Sequence, residues 1–173
     1  MLAGVQLSDG LKLEAIADGG FSYAEIPYEI IEKNELPTYK KKEGDSRVLK
    51  VSGFSYPLAK LTPDKMYEIL ENCRRYQGNY IVLDTMNCEA GILENVVEEC
   101  SMMMTDYRIP VFIENGCNGS DETGYLNSAY SDISSLKSIA EYCNRLCDTA
   151  IVGISINIGY SNLCLLYTSP SPE

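Results

Sequence analysis

Glu114 follows the apolar run Val111-Phe112-Ile113 and is flanked by Asn115-Gly116. A carboxylate in that setting projects from the end of a strand, where it can bind a hard cation or move a proton at a carbon next to a carbonyl. It can equally be bonded to a neighbouring backbone group or lysine. Asp84 ends the run Tyr80–Leu83 and has the same placement, and Glu25 stands just inside the end of a run closed by Pro27. Glu114 is the expected catalytic residue. Glu25, Asp84, Asn115 and Asn157 are expected to read the hydroxyls of a small polar ligand, because carboxylates accept hydrogen bonds and carboxamides both accept and donate them.

These residues need elements that bring them to one place. Six short apolar runs recur along the chain, Leu2–Leu7, Tyr23–Ile26, Val48–Val51, Tyr80–Leu83, Val111–Ile113 and Ile151–Ile156, closed by Ser8, Pro27, Ser52, Asp84, Glu114 and Asn157. Unbroken apolar strands belong to parallel sheets covered on both faces, so the runs predict successive βα units of an α/β protein. The fold class expected is an incomplete (β/α)8 TIM barrel of about six units, whose chemistry sits at the carboxyl ends of the strands. Helices are expected around Leu11–Ala17, at Tyr28–Leu36, after the N-cap Thr62, at Ile92–Met104 and from Asp132 to Cys143. The Gly-, Asn- and Ser-rich stretch from Asn115 to about Ser131 is long for a βα connection and suggests a lid or substrate loop.

The chain has 173 residues, 45% of them hydrophobic and 23% charged, as expected of a soluble globular protein. No run approaches the roughly 20 apolar residues that span a bilayer, and the amino terminus lacks the pattern of a secretory signal, so a cytoplasmic protein without a membrane partner is expected. The formal net charge of −11 repels phosphate backbones, which disfavours nucleic acid as a partner. The cluster Lys40–Lys42 is followed by Glu43 and Asp45 and is expected to be a solvated loop. Seven cysteines without a CxxC pair suggest buried thiols, with Cys143 and Cys147 packed on one helix face, and Met102–Met104 is expected to fill core. No nucleotide cofactor is indicated, and nothing points to an oligomeric state.

The carboxyl end breaks the βα rhythm. Cys164–Pro172 matches the translation of a transposase sequencing adapter, although Glu173 does not fit, and a natural Pro-rich tail is the other reading. On the first reading residues 1–163 are a partial barrel domain, an amino-terminal fragment, and 164–173 a non-native tail.

The segments Phe21-Ser-Tyr-Ala-Glu25, Ile113-Glu114-Asn115 and Val152-Gly-Ile-Ser-Ile-Asn157-Ile-Gly-Tyr160, in that order and spacing, resemble the xylose-isomerase-like barrels, which include sugar-phosphate isomerase/epimerases and the apurinic endonuclease type. The resemblance covers essentially Met1 to Leu163. It implies that Glu114 binds a divalent metal and acts as base, and that Asn157 stands where the family has a metal-binding Asp of an Asp-x-x-His motif, with Tyr160 in the histidine position. A neutral carbonyl oxygen in place of an anion lowers cation affinity. The histidines common at the ends of the third and fourth strands are also missing, from Ser52-Gly53-Phe54 and Asp84-Thr85-Met86. A histidine-rich zinc cluster is excluded in this stretch, whereas a weak oxygen-ligand Mn2+ or Mg2+ site is not. The implied function is a metal-assisted isomerase or epimerase of a sugar or sugar phosphate. The alternative is a degenerate barrel that binds a small polar ligand without metal; phosphodiester cleavage lacks both a histidine cluster and a basic groove.

Overall fold

A computed structural model of the chain describes residues 4–6, 13–33, 50–116 and 130–157. Along these, strands and helices alternate: β1 (Gly4–Gln6), α1 (Leu13–Asp18), β2 (Tyr23–Pro27), α2 (Tyr28–Glu32), β3 (Lys50–Pro57), α3 (Pro63–Arg75), β4 (Tyr80–Asp84), α4 (Ile92–Tyr107), β5 (Val111–Glu114), α5 (Ile133–Leu146) and β6 (Val152–Ser155). All pairings are parallel and the sheet order is β1-β2-β3-β4-β5-β6. An order that follows the sequence without reversing is that of a barrel wall, since a doubly wound sheet reverses at its switch point. The fold is therefore α/β, a partial TIM-barrel-like sheet, and among the described residues β1 and β6 each have a single neighbour in it.

Strand alternation sorts side chains between two faces. Ala24 and Ile26 of β2 and Val111 and Ile113 of β5 are buried on one face, while Glu25, Phe112 and Glu114 lie half-buried on the other. The buried set packs with Met66, Ile69, Leu70 and Cys73 of α3, with Leu93, Val96, Val97, Cys100 and Met104 of α4, and with Leu136, Ile139, Ala140 and Cys143 of α5. Thr62 caps α3 as its sequence foretells, its hydroxyl accepting from the Lys65 N–H at 3.2 Å. Asp132 does the same for α5 with the N–H groups of Ser134 and Ser135. The described cysteines, Cys73, Cys88, Cys100, Cys143 and Cys147, are buried free thiols.

The third strand departs from expectation. It runs Lys50–Pro57 and ends at Pro57, not at Ser52. Ser52-Gly53 looks like a strand terminator, yet both residues are held inside the sheet. Glu25 pairs with Gly53 directly after Ala24 pairs with Val51, so Ser52 is the extra residue of a bulge, and its hydroxyl lies 3.1 Å from that of Tyr80.

Smaller differences concern helices. α4 continues three residues beyond Met104 to Tyr107, and Arg108 in the left-handed region stops it. Of the methionine run, Met104 is fully buried and Met103 packs half-buried against the core, whereas Met102 is 82% exposed, because the helix turns it to a different face. Ile133 is likewise exposed, one residue after the cap. α2 ends at Glu32 with Lys33 as its cap. Lys40–Lys42, the expected lid over residues 117–129, Tyr160 and the tail 164–173 lie outside the described residues. No helix among the described residues is long and apolar enough to cross a membrane.

Candidate active site

The register of the sheet assembles the site. Asp84 ends β4 and Glu114 ends β5, and the two are Cα partners, so their side chains leave the same face of adjacent strands. Pro57 of β3 pairs with Asp84 on one side, and Ser155 of β6 pairs with Glu114 on the other. Above this row lies a cavity of about 210 Å³ lined by Pro27, Glu29, Ser55, Tyr56, Pro57, Val82, Asp84, Glu114 and Asn157. The ends of β2, β3, β4 and β5, the residue two beyond β6 and the first turn of α2 contribute to it, which is why residues scattered from 27 to 157 meet.

Glu114 is held firmly. Its carbonyl accepts from the Thr85 hydroxyl at 2.8 Å, tying the end of β5 to the residue after β4. Its carboxylate Oε2 accepts from the Asn157 Nδ2 at 3.3 Å. Burial raises the pKa of Glu114 above the ordinary carboxylate value; the Asn157 hydrogen bond works against this, and the negative charges of Asp84 and Glu25 add to it. Asp84 turns one oxygen back to its own chain, Oδ1 accepting from the Met86 N–H at 2.9 Å.

Asn115 does not face the cavity. It is 3% exposed and clasps the backbone of Asn157: the Asn157 N–H donates to Asn115 Oδ1 at 2.5 Å, and Asn115 Nδ2 donates to the Asn157 carbonyl at 3.4 Å. It thus extends the β5–β6 ladder through a side chain and places Asn157 beside Glu114.

Glu25 lies deeper. It pairs with Gly53 in the middle of β2, and its side chain bonds to Tyr80 instead of lining the cavity. Burial raises its pKa while the Tyr80 hydrogen bond lowers it. The hydroxyls of Tyr80 and Ser52 lie 3.1 Å apart, and either can donate to the other. The charge of Glu25 nonetheless reaches Glu114.

Several lining residues carry little signal in the sequence. Ser55, Tyr56 and Pro57 lie beyond Ser52, where the sequence predicts the third strand to end; the run Phe54-Ser55-Tyr56 before Pro57 is the signal that it continues. Glu29 enters from the first turn of α2 and bonds Lys60 at 2.8 Å. Its position directly after a strand end was the only hint.

The described residues offer a divalent cation oxygen donors, but not a set placed to hold one. Among the described residues no group of three or more His, Cys, Asp or Glu side chains is placed to hold a metal ion. Asn157 presents its donor NH2 to Glu114, whereas a cation on that oxygen would require an acceptor.

No protein-family model matches the chain, and no curated protein does. Among solved structures it is similar to that of a xylose isomerase domain protein from Alicyclobacillus acidocaldarius subsp. acidocaldarius, with 11% sequence identity and a TM-score of 0.49. The match covers 88% of this chain and 62% of that one, so the chain spans less than two thirds of that protein's length.

Proposed function

We propose that the cavity binds a small, uncharged polyhydroxy compound and that Glu114 moves a proton at the carbon next to its carbonyl, as a sugar isomerase or epimerase does. The observation that carries this reading is a half-buried strand-end carboxylate in the cavity wall whose pKa burial raises. A carboxylate whose pKa burial raises is a stronger base than an ordinary one. The base takes the proton from carbon, leaving an enediolate, and returns it to the neighbouring carbon while the hydroxyl proton passes to the former carbonyl oxygen. Asp84, Ser55 and Tyr56 supply acceptors and donors for ligand hydroxyls.

Charge favours a free sugar over its phosphate. Glu29, Asp84 and Glu114 line the cavity, and among the described residues no Lys or Arg does. At about 210 Å³ it is also smaller than the roughly 300 Å³ at which pockets for drug-sized ligands begin.

A second reading, binding without reaction, is favoured by the Asn157 hydrogen bond to Oε2, since that oxygen is partly committed. One experiment separates the two. Incubation with a panel of aldoses and ketoses in D2O, followed by proton NMR, should show loss of the signal at the carbon next to the carbonyl, and Glu114→Gln should abolish it while leaving the protein folded. Saturable binding with no exchange would establish the second reading, and exchange unaffected by Glu114→Gln would remove Glu114 as the base.

A further inference from the structure

We propose that the Asn157 carboxamide, held in place by Asn115, occupies the position on Glu114 that a cation would otherwise take, so that this cavity binds its ligand independently of divalent metal. Three observations carry this. The Asn157 NH2 group, not its oxygen, meets Glu114 Oε2 at 3.3 Å. An ionised carboxylate only accepts hydrogen bonds, so the amide keeps that orientation as long as Glu114 is charged. Asn115 then prevents Asn157 from swinging away, since it grips both the N–H and the carbonyl of the same residue from a buried position. A cation approaching Oε2 would have to displace a donor whose backbone is fixed, and would gain a neutral carbonyl oxygen at best. Asp84 has Oδ1 turned back to the Met86 N–H, which fixes its carboxylate toward its own chain.

The inference rests on the proposed function only in taking this cavity as the ligand site; it does not depend on whether a reaction occurs there. Its test is a titration of the full chain with MnCl2, read by the loss of the free-ion signal in electron paramagnetic resonance and by thermal melting. The wild type should behave as Glu114→Gln does, with neither signal loss nor a manganese-dependent rise in melting temperature. Asn157→Asp exchanges the donor for an isosteric anion beside Glu114 and Asp84, and should gain both. Manganese binding by the wild type that Glu114→Gln abolishes would overturn the proposal, as would an Asn157→Asp variant that folds yet binds no manganese. The wild-type titration decides the matter even if the Asp variant does not fold. Metal-free proton exchange failing in D2O would bear on the proposed reaction and leave this result untouched.

Discussion

The ring of Tyr80 lies over Gly53 on the neighbouring strand: a Cβ built on Gly53 would stand 2.6 Å from two ring carbons and 2.6 Å from the Tyr80 carbonyl oxygen. No side chain larger than hydrogen fits that space without displacing the ring or the carbonyl, and the Tyr80 hydroxyl lies 3.1 Å from that of Ser52. Gly53→Ala should therefore destabilise the fold by about 1–3 kcal/mol, the usual cost of overpacking. Removing the ring as well, in Gly53→Ala/Tyr80→Ala, should not restore stability, because the backbone oxygen remains in the way. Urea midpoints of the single and double variants check this; full rescue by the second substitution would show that the ring alone sets the glycine requirement.

Asn115 joins β5 to β6 through a side chain. Asn115→Ala leaves the N–H and carbonyl of Asn157 without that partner, at a cost of about 1–3 kcal/mol for partly buried groups. Hydrogen exchange should localise the effect. The Asn157 amide is expected to exchange much faster while amides of α3 keep their protection; uniform loss of protection would mean that Asn115 supports the fold globally.

Stability should respond to pH through Glu114. Burial raises its folded pKa above the value near 4.5, so its contribution to stability is fully present below that value and is lost as pH rises through the folded pKa. A glutamine there never ionises. Glu114→Gln is expected to melt higher than the wild type at neutral pH, with the gap closing as pH falls toward about 4.5. Parallel melting at several pH values tests the sign, and a gap that widens on acidification would contradict the burial of this carboxyl.

Two methionines of one helical run, Met102 and Met104, should differ sharply. Met104 is fully buried, and Met104→Ala should cost about 2–5 kcal/mol. Met102 is 82% exposed, and its alanine variant should stay within about 0.5 kcal/mol of the wild type. Comparable losses at both positions, measured by chemical denaturation, would place α4 in a different rotation against the sheet.

Much of this architecture could be read from local pattern. Runs such as Tyr80–Leu83 and Val111–Ile113 are too short and too apolar for exposed strands, and the spacing of Met66, Ile69, Leu70 and Cys73 behind Thr62-Pro63 admits one helix face. Parallel βα units follow, and with them the placement of Asp84 and Glu114 at strand ends. These features depend on neighbours a few residues away, where propensity and periodicity act.

What no local pattern contains is the pairing between distant segments. Ser52-Gly53 signals a strand end until Tyr80 supplies a hydroxyl for one and a ring over the other, and only then does β3 reach Pro57. Asn115 and Glu25 have the chemistry of ligand contacts, but pairing with β6 turns the first into a clasp on Asn157, and the bulge in β2–β3 sets the second against Tyr80. Side-chain type limits what a residue can bond, whereas strand register and face select the partner it meets; that selection is made across dozens of residues, when the sheet forms.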